Sequence, residues 1–201
     1  MSIADLSETR PMRADARRNR ERVLAAARRS FAEYGHAGSM EDVARRAGVG
    51  VGTVYRHFPD KSALLDALLA ERFAEFAELG RAALELADPW TSFSDWLIAC
   101  GASQASDMGF CDALGDGISD ARRAELAEST GLSEVNARIL KRGQQAGVIR
   151  PDAEASDIPM LMAGVAATAR RGPTAIGGSW RRHLAIAVDG MRAPGTGALP
   201  R

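Results

Sequence analysis

The stretch Gly48–Lys61, which reads GVGVGTVYRHFPDK, decides most of what can be predicted about this chain. It begins as a glycine-containing turn and continues as a short helix, and residues 40–47 before it predict a second short helix. Side chains that can donate hydrogen bonds to phosphate oxygens or base edges follow the turn: Thr53, Tyr55, Arg56, His57 and Lys61. Two short helices joined in this way form a helix-turn-helix, whose second helix enters the major groove of DNA. The stretch therefore predicts a surface that binds double-stranded DNA.

The net charge of zero conceals an uneven distribution of charge along the 201 residues. Residues 1–62 contain 12 Lys and Arg against 8 Asp and Glu, whereas residues 63–201 contain 14 against 18. A basic N-terminal segment followed by a mildly acidic remainder is typical of a DNA-binding head joined to a body that has another function. The hydrophobic share of 46% is ample for a buried core.

Cysteine content and hydropathy indicate where the protein works. Cys100 and Cys111 are the only cysteines, too few for a disulfide scaffold, and a redox role for this pair stays open. The polar N-terminus carries no apolar signal sequence, which predicts a cytoplasmic location. The longest stretch without a charged residue is the twelve residues Ile158–Ala169. Because a membrane-spanning helix needs about 20 apolar residues, we expect no membrane association.

Apolar residues recur at helical spacing along the chain, and no strand-like alternation is found, so we predict an all-α fold. Beyond the two short helices, the predicted helices are residues 15–34, 61–80, a helix opened by Asp88-Pro89, 119–128, 133–146, 155–171 and 179–192. The predicted organisation is a flexible basic arm (1–14), a helix-turn-helix DNA-binding domain (15–60), a helical regulatory and dimerisation domain (61–193) and a flexible tail (194–201). The helix that begins at Lys61 links the head to the body.

Over roughly residues 17–66 the sequence resembles the TetR family of bacterial transcription regulators. The family motif, close to T-x-x-x-I-A-x-x-A-G-V-S-x-G-T-L-Y-x-H-F-x-x-K-x-x-L, agrees with this chain in order, spacing and residue type at more than a dozen positions. The agreeing positions are Gly35, Ser39, Val43-Ala44, Ala47-Gly48-Val49, Gly52-Thr53-Val54-Tyr55, His57-Phe58, Lys61 and Leu64-Leu65. The remaining two-thirds of the chain match the family only in outline.

The resemblance implies a homodimer with two heads that meet successive major grooves, and a body pocket whose small-molecule occupant changes the affinity for DNA. It also implies that Thr53, Tyr55, His57 and Lys61 contact the phosphate backbone. Such contacts fix the register of the protein but carry no sequence information. The candidates for reading base edges or a thymine methyl group are Val51, Thr53, Arg56 and Arg45. Ser39, whose hydroxyl can cap the second helix, completes the DNA-binding set.

This chain departs from the family motif at the start of the recognition helix. The family commonly has Ser at the position of Gly50 and a polar residue at that of Val51. The start of the helix is therefore short of hydrogen-bonding groups. We hypothesise that the basic arm, with Arg10, Arg13, Arg17 and Arg18, compensates by reaching phosphates or the minor groove.

Two surfaces are predicted for the body. The candidates for a ligand pocket are Trp96, Cys100, Gln104, Phe110 and Met162, with ordinary core packing as the alternative for each. The last two helices are expected to form the dimer interface, and the candidates there are Met160, Val165, Trp180, Leu184 and Val188. The glycine and alanine content of these helices would permit close approach of a second subunit.

We therefore predict a sequence-specific transcriptional regulator, a ligand-responsive repressor that binds a palindromic operator as a dimer and uses no cofactor. The alternatives are an activator or ligandless regulator with the same head, a nonspecific chromosome-coating protein, and a helical small-molecule-binding protein or enzyme with a vestigial head. No enzyme signature is found: the cysteines lack histidines at zinc-ligand spacing, and the glycine-rich pieces follow no strand.

Overall fold

The computed structural model describes residues 3–106, 117–170 and 180–194 together with Gly197 and Leu199. Side chains are described from Asp15 onward, apart from that of Arg170. Within these ranges the chain forms α1 (Ile3–Tyr34), α2 (Met40–Ala47), α3 (Val51–His57), α4 (Lys61–Leu84), α5 (Pro89–Ser106), α6 (Asp120–Ser129), α7 (Leu132–Gln145), α8 (Asp157–Arg170) and α9 (Trp180–Gly190). The all-α prediction is confirmed. No helix among the described residues is long and apolar enough to cross a membrane.

The first helix is longer than the sequence pattern predicts. It begins at Ile3 rather than Asp15, so most of the predicted flexible arm continues the axis of α1. A helix needs no apolar face to propagate, because each added residue contributes a backbone hydrogen bond once a turn exists. The apolar periodicity that we used to place the start of α1 therefore marks where the helix becomes buried, not where it begins.

Two apolar cores divide the molecule, and α4 runs through both. The head core contains the apolar sides of α1, α2 and α3 together with the first half of α4, where Leu64, Leu65 and Leu68 are buried. The body core begins at Phe76, farther along α4, and extends over the buried sides of α5, α7, α8 and α9. Phe73 packs against both cores. A rotation or shift of α4 therefore has to be accommodated in the head and the body together.

Helix α6 lies where the sequence pattern predicts a helix over residues 119–128, but its contact with the head was not predicted and makes it a second link between the body and the head. Leu126 on α6 and Ile118 just before it are buried in the head core. At the surface above them, Arg122 Nε lies 2.7 Å from a carboxylate oxygen of Asp66 on α4. The apolar residues of α6 are few, and their spacing says nothing about which core they enter.

The C-terminal segment folds back onto the loop between α7 and α8. The Arg150 guanidinium forms an ion pair with Asp152 at 2.6 Å and also donates to the Gly197 carbonyl. The Leu199 N–H donates to Asp152 at 2.9 Å. Two residues of the predicted flexible tail are thus held by hydrogen bonds, since Gly197 provides an acceptor for the buried Arg150 guanidinium and Leu199 provides a donor for the Asp152 carboxylate.

Candidate nucleic-acid interface

Helix α2 is held at its start by a reciprocal cap. The Ser39 hydroxyl accepts a hydrogen bond from the Asp42 N–H at 3.1 Å, and the Asp42 carboxylate accepts from the Ser39 N–H at 3.4 Å. The Ser39 hydroxyl also donates to Asp42, which together with the Arg45 guanidinium lowers the pKa of that carboxyl. Ser39 thus caps α2 as predicted, and Asp42 completes a capping box in which Asp takes the position of Glu. The side chain of Ser39, predicted to contact DNA, is used by the cap in this structure.

Glycine is required where the turn leaves α2. Gly48 has φ +65°, a conformation that side chains other than glycine rarely adopt, and its N–H donates to the carbonyls of Ala44 and Arg45. Gly50 then occupies the N-cap position of α3 with φ −66° and provides no side-chain cap. The turn therefore ends one helix and starts the next within three residues, which sets the angle between α2 and α3.

Helix α3 turns one side to the head core and the other to solvent. Val54 is fully buried and Phe58, just after the helix, is 3% exposed, so these two side chains anchor α3. Val51 and Tyr55 are 40% and 43% exposed, and Arg56 is exposed as well. Thr53 and His57, four residues apart, are half-buried together along one side of this exposed face. The structure thus brings five predicted DNA-binding residues onto one helix surface.

The Arg56 guanidinium has no hydrogen bond or ion pair with any other described residue. Arg45 on α2 is also exposed, but its guanidinium forms an ion pair with Asp42 on the same helix. An exposed pair of this kind contributes little to stability and can be exchanged for a phosphate at small cost. Arg56 is therefore the cation on this face that is most available to a ligand.

Lys61 is engaged within the protein. Its Nζ donates to the backbone carbonyl of His36 and lies 5.5 Å from the centroid of the Phe31 ring. Partial burial lowers the pKa of this amine. Lys61 thus ties the start of α4 to the turn after α1, and a phosphate contact, as predicted for it, requires that the amine exchange or share this carbonyl.

Other arginines of the head hold helices together. Arg22 donates to the Ala47 carbonyl at 2.6 Å, and the Arg20 guanidinium lies 5.3 Å from the Phe58 ring centroid. Arg28 bridges Glu71 and Glu75 of α4 at 3.1 and 3.0 Å. Of the four arginines expected to reach the DNA backbone or minor groove, Arg17 and Arg18 are exposed and pair with Glu21 and Asp15 on their own helix. The side chains of Arg10 and Arg13 lie outside the described residues.

The predicted pocket residues lie in or beside the body core. Trp96 is 3% exposed and its indole N–H donates to the Phe76 carbonyl at 3.0 Å. Cys100 and Met162 are buried with it, and burial raises the pKa of the Cys100 thiol to about 12. Gln104 is half-buried on the last turn of α5. Phe110 and Cys111 lie outside the described residues. Trp96, Cys100 and Met162 belong to the same body core, and Trp96 is fixed to α4 by its hydrogen bond.

The predicted interface residues divide into two groups. Met160 is 73% exposed and Trp180 is half-buried, so both are accessible to a second subunit. Val165, Leu184 and Val188 are buried in the chain's own body core, because the apolar sides of α8 and α9 pack on α5. We therefore correct the prediction for these three residues. Ile186, which is 62% exposed on α9, is the accessible residue that the sequence pattern missed.

No group of three or more His, Cys, Asp or Glu side chains in the described part of the chain is arranged to hold a metal ion. The chemistry that the head offers is hydrogen bonding, charge and apolar contact. That set of interactions suits a nucleic-acid groove, in which phosphates lie at the edges and base edges at the floor.

Comparison with protein families matches both parts of the chain. Residues 23–68 match the model of the tetR family of bacterial regulatory proteins. Residues 88–193 match the model described as the C-terminal domain of SbtR-like transcriptional regulators. The first match contains α2, the turn and α3, and the second contains α5 and all later helices.

Solved structures of similar architecture cover nearly the whole chain. A TetR transcription regulatory protein from Mycobacterium vanbaalenii is 34% identical, with a TM-score of 0.62, over 91% of this chain and 100% of that one. A TetR transcriptional regulator from Streptomyces coelicolor is 28% identical, with a TM-score of 0.61, over 89% and 99%. FadR from Bacillus subtilis, solved in complex with stearoyl-CoA, is 19% identical with a TM-score of 0.64 over 86% and 97%, and shares the fold.

Curated relatives match over a short segment of the chain. An HTH-type transcriptional regulator of Staphylococcus aureus (strain USA300) is 48% identical over 54 residues, which is 26% of this chain and 29% of that protein. The identity is thus concentrated in a segment the size of the helix-turn-helix head.

Proposed function

The chain belongs to the TetR family of bacterial transcriptional regulators, with a helix-turn-helix DNA-binding head, and we propose that it is a repressor. It binds a palindromic operator as a homodimer in the cytoplasm and releases it when a small molecule enters the body. Membership of this family points to a regulator rather than to an enzyme.

The observation that carries the DNA-binding role is the outward face of α3. Its inner side is anchored by Val54 and Phe58, while the exposed Arg56 guanidinium pairs with no other described residue. An exposed guanidinium that no described residue engages can pair with a phosphate or a base edge without breaking a contact inside the protein. In this proposal Arg56, Val51 and Thr53 face base edges, and Tyr55, His57 and Lys61 face phosphates.

The dimer is proposed to form through the outer faces of α8 and α9. Met160 and two exposed alanines, Ala163 and Ala167, recur at helical spacing on α8, and Ile186 is exposed on α9. His183 of α9 lies over Gly164 of α8, which brings the two helices close together. This apolar face has no covering element among the described residues, and two copies packed on it would form a four-helix interface.

Charged substitutions on the outer faces of α8 and α9 test the proposed dimer interface. Ile186→Glu would place a charge in the proposed interface and should convert a dimer to a monomer, measured by light scattering. Leu79, 41% exposed on α4, offers a matched control, since Leu79→Glu should leave the dimer intact. A dimer that survives Ile186→Glu, combined with Met160→Glu, would reject this interface.

Ligand release is proposed to act through α4 and α6. A ligand in the body changes the position of α4, and α6 carries the same change to the head through Ile118, Leu126 and the Arg122–Asp66 ion pair. The ligand can do this only by binding the two arrangements with different affinity. A coupling of about 1–3 kcal/mol would change operator affinity about 5–150-fold, which is sufficient for regulation.

The decisive experiment is selection of fragments from random DNA with the full chain. Recovery of a palindrome with half-sites about 34–36 Å apart would support specificity and dimerisation together. Binding that random competitor DNA abolishes would instead support the chromosome-coating alternative. Transcription from a promoter that contains the recovered site separates a repressor from an activator.

The ligand-responsive and ligandless forms differ in whether any molecule releases the recovered DNA. Stearoyl-CoA is a reasonable first probe, since it occupies a protein of the same fold. A fall in operator affinity on its addition, with a change in tryptophan fluorescence from the body, would support the ligand-responsive form. Tight operator binding that stearoyl-CoA leaves unchanged would favour a different ligand class or the ligandless regulator.

A further inference from the structure

Two glycines at the start of α3 occupy positions where the fold does not require glycine. Gly48, at φ +65°, needs glycine for its backbone conformation. Gly50 has an ordinary φ of −66°, and Gly52 lies inside the helix. A Cβ atom added at Gly50 or Gly52 would meet nothing within 4 Å. Glycine in a helix lowers stability relative to alanine, because glycine has more conformational freedom in the unfolded chain and loses more of it on folding.

Gly52 lies on the solvent-exposed side of α3, where its lack of a side chain leaves the helix backbone uncovered. Val54 and Phe58 define the buried side of α3. With about 100° of rotation per residue, Gly52 and Arg56 fall on the opposite side, one turn apart. The centre of the exposed face therefore consists of bare backbone at Gly52, and the Arg56 side chain lies one turn farther along. Val51 borders this bare position and is 40% exposed.

Val51 has no evident role in holding the head together. The head core includes Val54 and, at its edge, Val49, but not Val51. An exposed branched apolar side chain beside a bare backbone position can make only apolar contacts. In the major groove the one apolar group on the base edges is the 5-methyl group of thymine.

We propose that Gly52 is the point of closest approach between α3 and the duplex, and that Val51 there selects thymine through its methyl group. The inference rests on the proposed DNA-binding function and adds a base preference to it. The absence of a side chain at Gly52 lets the helix lie deeper in the groove, which brings the short Val51 side chain within reach of the base. This contact is apolar and needs neither a charge nor a free N–H group at the start of α3.

The first test is Gly52→Ala in the full chain. Alanine should raise Tm by about 1–3 °C, since it favours the helix and meets open space. The same methyl group should hold the helix away from the DNA and weaken binding to selected fragments at least tenfold, about the value of one base contact. A higher Tm combined with weaker DNA binding would show that glycine at position 52 lowers stability but serves DNA binding. Unchanged or tighter binding by Gly52→Ala would overturn the proposal.

The second test removes the methyl group from the DNA. In fragments recovered from random DNA, each thymine is replaced in turn by deoxyuridine, which lacks only the 5-methyl group. One position in each half-site should lose about three- to fivefold in affinity, the value of one buried methyl-sized group. The other thymines of the same fragment are matched internal controls.

The protein variants connect that position to Val51. Val51→Ser should bind the thymine and deoxyuridine fragments equally, while Val51→Ile should keep the preference for thymine. Fragments without any thymine-sensitive position, or a preference that survives in Val51→Ser, would overturn the proposal while the DNA-binding function stands. A failure to recover any fragment would overturn the DNA-binding function and this inference with it.

Discussion

The indole N–H of Trp96 donates to the backbone carbonyl of Phe76 at 3.0 Å and so fastens α5 to the middle of α4. Trp96 is 3% exposed, and its ring lies against the α4 backbone near Gly80. The hydrogen bond is made at the level of α4 where the body core begins. Any motion of α4 in the body therefore includes Trp96, whether or not this residue touches a ligand.

Trp96→Phe should destabilise the protein by about 1–3 kcal/mol, through the lost hydrogen bond and the space left by the smaller ring. Urea unfolding followed by circular dichroism measures the change. Trp90→Phe is the matched control, because Trp90 is half-exposed and stacks 4.6 Å from the Arg192 guanidinium carbon. If the two variants lost the same stability, the Trp96–Phe76 bond would have no special importance.

Gly80→Ala should also destabilise the body, despite the higher helix propensity of alanine. An added Cβ atom would overlap Val135 Cγ1 on α7 and lie 3.1 Å from Trp96 Nε1. Overpacking of this kind costs about 1–3 kcal/mol. Val135→Ala should relieve it, so the double variant should be less destabilised than the sum of the two single variants. Additive losses in a double-mutant cycle would show that Gly80 and Val135 do not constrain each other.

Two buried serines should respond oppositely to replacement by alanine. Ser30 is fully buried on α1 and its hydroxyl has no hydrogen-bond partner among the described residues, so Ser30→Ala should be neutral or stabilising by up to about 1 kcal/mol. The Ser92 hydroxyl donates to the Ala83 carbonyl at 2.6 Å, and Ser92→Ala should cost about 1–3 kcal/mol. The urea midpoints of the wild type and the two variants measure these changes in stability. A clear loss in Ser30→Ala would reveal a partner, such as a buried water, for that hydroxyl.

Variants of the recognition surface should separate base readout from phosphate contact. Arg56→Ala should relax the choice at particular base pairs, whereas Tyr55→Phe should weaken all sequences alike. Lys61→Ala should reduce the slope of log K against log salt by about one unit. Repeating the selection and measuring isotherms at several salt concentrations tests all three. An unchanged slope would mean that Lys61 keeps its bond to the His36 carbonyl when DNA is bound.

Stability should fall in acid where Asp152 takes up a proton. The Arg150 guanidinium and the Leu199 N–H hold the pKa of this carboxyl below its ordinary value. A carboxyl whose pKa is lowered in the folded state stabilises fully above its unfolded pKa of about 3.9, and that contribution is lost progressively as the pH falls from there through the lower, folded pKa. The difference in urea midpoint between wild type and Asp152→Asn should therefore narrow steadily from about pH 5 to about pH 2. A difference that stays constant over this range would assign the effect to packing of the loop.

Interactions between residues close in sequence could be predicted without a structure. The Ser39–Asp42 capping box joins residues three positions apart, and the turn after α2 depends on the backbone conformation of Gly48 alone. The order and type of residues in α2 and α3 identify the helix-turn-helix for the same reason. Each of these features depends on local geometry that the residue types themselves impose.

Only the tertiary structure determines which groups the long side chains contact and which helix faces are buried. Lys61 donates to a carbonyl 25 residues earlier in the chain, and Arg122 pairs with Asp66 56 residues away. Helical periodicity identifies Val165, Leu184 and Met160 as apolar, but the packing of α8 and α9 on α5 buries the first two and leaves Met160 exposed. Spacing along a helix determines which residues share a face. Which faces meet depends on how distant helices pack, and no local pattern contains that information.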